Sequence, residues 1–229
     1  GGVAALTGAM VLGPRKGKYD KNGKPRGLPG HSIALAGAGT LILWFGWFGF
    51  NAGSTLQIND GQFAVVAANT AIAAAFGATF CMFWVWIRTG KPDPAMMANG
   101  MLAGLVIITA PCAFVDPWVA ALLGIIAGVV VVESVFHVER RFTVDDPVGA
   151  FSVHGTCGIL GVLAVGFFAN DKYGLGWNGT TVEGAHGVRG VFYGGGAGQL
   201  VEAEHVLVPS PVMTVQYSPL SSPFSAPVE

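Results

Sequence analysis

An all-α, polytopic membrane protein is the fold class this sequence predicts, and three observations carry it. Hydrophobic residues make up 52% of the 229-residue chain and charged residues only 11%, where an ordinary soluble domain is about a quarter charged. The apolar residues fall in five long, uncharged, Gly- and Ala-rich stretches punctuated by Gly, Pro, Asn and Asp. The Lys and Arg residues gather in alternate loops. Thirty-five glycines suit a bundle in which small residues let helices approach closely.

The elements follow in order. Gly1–Gly13 reads as the last part of a helix, too short to cross the ~30 Å hydrocarbon layer alone. It begins without Met and shows no secretory signal, so the chain reads as cut. A polar loop runs from Pro14 to Arg26. Complete spans are expected at about His31–Phe50, Phe63–Ile87, Pro94–Val115, Pro117–Phe136 and Pro147–Asn170. Thr109-Ala110-Pro111 marks a kink or break in the third of these, freeing backbone groups that Thr109 could help satisfy. Val201–Glu229 is rich in Pro and Ser and reads as a disordered tail.

Charge orients these spans. Arg15, Lys16, Lys18, Lys21, Lys24, Arg26, Arg88, Lys91, Arg140 and Arg141, ten of the twelve Lys and Arg residues, lie in the loops after the partial helix, after Ile87 and after Phe136. The alternate loops, Asn51–Gln62 and Val115–Trp118, hold none. Positive loops stay in the cytoplasm, so the two sets lie on opposite faces and the region after Asn170 is external.

Within the spans, one ionisable residue stands out. No charge follows Asp146 until Asp171, and His154 lies inside that run. Seven residues beyond Pro147, it should sit about 10 Å along a helix. Such a residue either hydrogen-bonds a neighbouring helix or lines a pathway for a substrate or proton. A neutral imidazole offers one donor and one acceptor to a small solute that has lost its water. Asp145 and Asp146 suit helix capping, with proton handling as the second option. The run Trp44-Phe45-Gly46-Trp47-Phe48-Gly49-Phe50-Asn51-Ala52-Gly53-Ser54 is either an interfacial belt or an aromatic site for a small cation. Its glycines suggest tight packing, as do Ala36-Gly37-Ala38-Gly39 and the GxxxG pairs Gly100/Gly104 and Gly124/Gly128. Trp84, Trp86 and Trp118 read as belt residues, and His31 and His137 as helix-end caps.

Other chemistry is excluded or weak. There is no P-loop, HExxH or Gly-x-Ser-x-Gly, and no basic nucleic-acid face, so neither an enzyme nor a nucleic-acid partner is expected. Cys81, Cys112 and Cys157 lack Cys-x-x-Cys spacing and read as small packing residues. His186 and His205 give no metal spacing, and no cofactor is expected. Asn178-Gly179-Thr180 fits a glycosylation acceptor.

The segments Trp47–Ser54, Asn99–Val106 with Thr109-Ala110, Asp145-Asp146-Pro147 and Phe151–Gly158 together resemble the ammonium transporter (Amt/Mep/Rhesus) family, over residues 1–200. That resemblance implies an eleven-helix, inverted-repeat fold, usually a homotrimer with one narrow apolar pore per subunit in the cell membrane. It implies that His154 is the second of two pore histidines, Phe50 one of the paired gate phenylalanines and Ser54 a vestibule residue. Trp47 and Thr109 match pore-lining or pore-adjacent positions, and Asn51 lies among them. By the same likeness, four helices and the first pore histidine would precede Gly1, and an eleventh helix would follow Leu200. The expected function is movement of ammonium or ammonia across a membrane. An ammonium sensor on the same scaffold, or an inactive fragment, are the alternatives. A PII-type regulator is a family association for bacterial members.

Overall fold

A computed structural model describes residues 1–56, 58, 61–173 and 188–196. The expected tail Val201–Glu229, the glycosylation pattern at Asn178, His186 and His205 lie outside these. Six α-helices are present among the described residues: α1 Gly2–Leu12, α2 Ile33–Asn51, α3 Gln62–Thr89, α4 Pro94–Thr109, α5 Pro117–His137 and α6 Cys157–Phe168. Among the described residues there is no strand, only the isolated bridges Tyr19↔Pro25 and Asn170↔Arg189.

Local chemistry sets the helix ends. Ser32 accepts from the Leu35 amide at the start of α2. Asp93 accepts from the Ala95 and Met96 amides at the start of α4, with Pro94 in the first turn, where a missing N–H does no harm. Helix α3 stops at Gly90, which takes the left-handed conformation at φ 81°.

Four stretches are long and apolar enough to cross a membrane: Ile33–Thr55, Gln62–Thr89, Pro117–Phe142 and Phe151–Phe168. The third expected span, Pro94–Val115, is shorter than predicted. Helix α4 ends at Thr109 although Ala110 keeps helical angles (φ −71°, ψ −49°); Pro111 has no N–H to bond back into the helix, and residues 110–115 continue as turns. The freed carbonyls of Cys112 and Val115 each accept a hydrogen bond, at 2.9 Å, from the side-chain amide of buried Asn69 on α3. Asn69, not Thr109, answers the backbone demand of the break. The Thr109 hydroxyl donates instead to Leu105 of its own helix.

Helix α3 is the centre of the bundle, and α4 and α5 pack side by side against it and against each other. Both GxxxG pairs press on it. An added Cβ would stand 2.6 Å from the Ala73 carbonyl oxygen at Gly124, and 2.7 Å from the Gly77 carbonyl oxygen at Gly128. Gly100 would meet the same Gly77 oxygen at 2.6 Å. Cys81, Cys112 and Cys157 are free and buried, which fits packing. Helix α2 differs. It packs on α4 and α3 along one edge and buries only Thr40 and Asn51. The tight packing expected around its glycines is absent within the chain: Gly37, Gly39, Gly46 and Gly49 have no atom within 4 Å of an added Cβ.

Loop contacts reproduce the two faces read from charge. On one end Arg15 meets Asp145, Lys18 meets Glu139, and Arg88 meets Glu133. On the other, Lys172 lies 3.1 Å from Asp116, and the Asn170 amide donates to Phe114.

Candidate pore site

The aromatic run is built at the outer end of α2. Residues three apart on a helix share a face, which places Trp47 beside Phe50. Their rings meet edge to face at 5.7 Å between centroids. The Trp47 indole N–H donates to the Thr109 hydroxyl at 2.9 Å, and that hydroxyl in turn donates a hydrogen bond to the Leu105 carbonyl at 2.7 Å. A β-branched residue hydrogen-bonded at both sides has little freedom, so α4 holds the indole in one orientation. Phe50 is 62% exposed. Ser54 donates to the Phe50 carbonyl and is itself exposed.

Asn51 turns away from these rings. It is buried, and its amide donates to Thr70 of α3 at 3.1 Å, so its polar group anchors α2 to the core.

His154 lies in a π-helical segment, Phe151–Thr156, that leads directly into α6. Single π turns interrupt helices mostly at functional positions. Hydroxyls tie this one down: Ser134 of α5 contacts Ser152 at 3.0 Å and Thr156 at 2.9 Å. Sequence reading missed this staple, although three hydroxyl side chains in two apolar spans were its available signal. The imidazole is exposed, while its neighbours Val153 and Gly155 are buried.

The depth of His154 needs correcting. Pro147 and Val148 form a turn and Gly149 has φ 68°, so regular winding starts only at Ala150. Counted from there, His154 is roughly 6 Å along. The turn is already sunk, however, since Asp145 and Asp146 are 3% and 8% exposed. A better ruler is α1, which crosses the π segment at Gly2. A Cβ there would stand 2.9 Å from the His154 carbonyl carbon. Gly2 is ten residues from Leu12, or roughly 15 Å along α1, so His154 lies about that far in from the Leu12 end of the bundle. An added Cβ on Gly161 would lie 2.5 Å from the Ile107 carbonyl oxygen, so α4 and α6 are level there. His154 is then roughly 13 Å from the level of Thr109 along the helices.

The acidic pair splits its work. Asp146 caps the helix, accepting from the Ala150 and Phe151 amides at 2.8 Å each. Asp145, expected to share the capping, receives the Arg15 amide at 2.9 Å and its guanidinium at 2.7 and 2.9 Å instead. Hydrogen bonds from Arg15 hold its carboxyl below the usual range, against the opposing effect of burial. Among the described residues no group of His, Cys, Asp and Glu could hold a metal ion.

Comparison with known proteins places the chain in a family. The model of the Ammonium Transporter Family matches residues 1–216. The ammonium transporter Amt2 of Archaeoglobus fulgidus is 53% identical over 175 residues, covering 76% of this chain and 37% of the relative. The ammonium transporter 1 member 1 of Oryza sativa is 38% identical over 219 residues, covering 90% of this chain and 42% of the relative. Among solved structures, the Sensor Amt Protein superposes with TM-score 0.75 at 33% identity, over 89% of this chain and 48% of that one. Mep2 of Candida albicans gives TM-score 0.75 at 29% identity, over 89% of this chain and 43% of that one. The chain thus spans less than half the length of each of these relatives.

Proposed function

From the premise that this chain belongs to the ammonium transporter family of integral membrane proteins, we propose that it forms part of a path carrying ammonium or ammonia across the membrane. The observation that carries the reading is the alignment in depth of a fixed indole and ring pair near the outer face with an exposed imidazole deeper in the bundle. An intact cation entering an apolar pore loses its hydration at large cost. Ring faces at Trp47 and Phe50 attract such a cation while water is still present. Below them, a species that has left its proton behind is far cheaper to pass. His154 then supplies one donor and one acceptor to the neutral solute. Ser54 and Thr109 work at the outer end, Ser54 at the mouth and Thr109 by orienting Trp47. Homotrimer formation and a PII-type regulator are further expectations of the family reading.

The test is uptake of labelled methylammonium by cells lacking their own ammonium transport. They would carry Archaeoglobus fulgidus Amt2 with its matching 175-residue segment replaced by this chain's. Uptake is expected, with His154→Ala lowering it at least tenfold or admitting potassium. Unchanged uptake and unchanged ion selectivity in His154→Ala would remove His154 from the path.

A second reading, an ammonium sensor, is favoured by the likeness to the Sensor Amt Protein. It predicts saturable methylammonium binding by the same chimera with no uptake above background.

A further inference from the structure

Among the described residues, every threonine inside an α-helix, from Thr7 of α1 to Thr109 of α4, donates its hydroxyl to the carbonyl four residues back. Thr156, at the end of the π segment, does not. Its hydroxyl meets Ser134 of α5 at 2.9 Å, and Ser134 donates to Ser152 at 3.0 Å. A hydroxyl carries one proton. Ser134 therefore gives its own to Ser152 and takes the one that Thr156 would otherwise direct to the Ser152 carbonyl.

This bridge sits on the side of the segment away from the imidazole. Two residues turn a helix by roughly 200°, so His154, midway between Ser152 and Thr156, faces the other way and is exposed while Ser152 is buried. Both ends of the segment are held. Asp146 binds the Ala150 and Phe151 amides, and Gly161 of α6 lies against the Ile107 backbone. A π turn closes its hydrogen bond over one residue more than an α turn. Returning it to α-helix between held ends displaces the residues by about one position, a rotation of roughly 100°. That rotation carries residue 154 toward the side where Val153 and Gly155 are buried.

We infer that Ser134 is a positioning residue for His154: its hydroxyl, set between Ser152 and Thr156, holds the π segment and keeps the imidazole turned out of the packed core. In an α turn Thr156 would bond its own helix as the other threonines do, and the bridge would open. The effect on uptake rests on the reading of His154 as a path residue; the effect on orientation does not.

Two measurements separate orientation from transport. In the purified full chain carrying His154→Cys, the new thiol is labelled with methanethiosulfonate ethylammonium; Cys81, Cys112 and Cys157 are buried and add little background. Adding Ser134→Ala is expected to slow labelling about fivefold, because a buried thiol reacts slowly. Adding Ser134→Thr, which keeps the hydroxyl, should change it less than about twofold. A misfolded chain would label faster at every cysteine, so a folding defect does not imitate the expected result. In the chimera with His154 in place, Ser134→Ala should lower methylammonium uptake per folded molecule about fivefold, with recovery in Ser134→Thr. Labelling that is unchanged or faster in Ser134→Ala, or equally slowed in Ser134→Thr, would overturn the positioning role. Slower labelling with unchanged uptake would uphold that role and remove His154 from the path instead.

Discussion

The glycines of α2 and those of α4 and α5 all lie in apolar helices and differ in their surroundings. In α2, Gly37, Gly39, Gly46 and Gly49 face open space within the chain. In α4 and α5, Gly100, Gly104, Gly124 and Gly128 let two backbones close onto α3. The packed region carries few groups suited to handling a solute, whereas the exposed imidazole of His154 and the exposed ring of Phe50 sit on elements with a free face.

The comparison breaks first at Gly128. Replacing it with Leu drives a Cβ into the Gly77 carbonyl oxygen at 2.7 Å and the Cys81 amide nitrogen at 2.8 Å. Backbone cannot yield as a side-chain tip can. A loss of about 3 kcal/mol, or failure to accumulate in membranes, is expected, measured by denaturant unfolding in detergent. A smaller loss follows at the cytoplasmic clasp. Asp145→Ala leaves Lys18 and Arg15 without their shared acid. Because Arg15 is partly exposed, the expected cost is about 2 kcal/mol, below that of a fully buried pair. The pH dependence has a definite sign. The Asp145 carboxyl is held low in the folded protein, so its contribution is complete above the ordinary Asp value of about 3.9 and is lost as pH falls further. Stability should be flat in this respect from pH 7 to 5 and fall below about pH 4, with Asp145→Ala missing that fall.

The sequence made the bundle legible because apolar length and loop charge are properties of whole segments. They located the membrane-crossing helices, their order and their two faces. The break after Thr109 was legible too, since Pro111 itself lacks the N–H a continuing helix needs. Partners were not. Nothing in one sequence tells that Asn69 reaches the carbonyls of Cys112 and Val115 more than forty residues away, that Asn51 faces Thr70, or that Asp145 serves Arg15 while Asp146 caps. GxxxG showed the same limit: the spacing is local, but the approaching backbone is not. Of the pore candidates, Trp47, Phe50 and Thr109 come together in space. His154 lies deeper on another element, a relation in depth that appears only once α1 and α4 serve as rulers.

Asn69→Ala sharpens the contrast from inside the core. It removes two hydrogen bonds and leaves two buried carbonyls to find other partners, for an expected loss of about 2 kcal/mol. The turn after Thr109 should loosen, and with it the indole that Thr109 orients. Methylammonium uptake by the chimera should then fall further than stability alone explains. Thr109→Val, which keeps shape and removes the hydroxyl, should reproduce the uptake loss at a cost of about 1 kcal/mol. If Asn69→Ala unfolds the chain no more easily than Thr109→Val, the clamp is not what holds the turn.

The smallest expected effect is the most discriminating. Gly37→Leu places a side chain where nothing lies within 4 Å, and Leu favours helix over Gly by up to about 1 kcal/mol. Within a single chain the change should be neutral or slightly stabilising, opposite in sign to Gly128→Leu. Unfolding in dilute detergent, where chains are separate, measures that term alone. Repeating it in lipid at high protein density measures what else meets α2. A neutral result in both means that the open face of α2 is lipid-facing or solvent-facing, and its glycines are merely tolerated. Neutrality in detergent with a loss in lipid means that another polypeptide surface closes on Gly37 as α3 closes on Gly128. The two sets of glycines would then differ in which backbone they admit, not in whether they admit one.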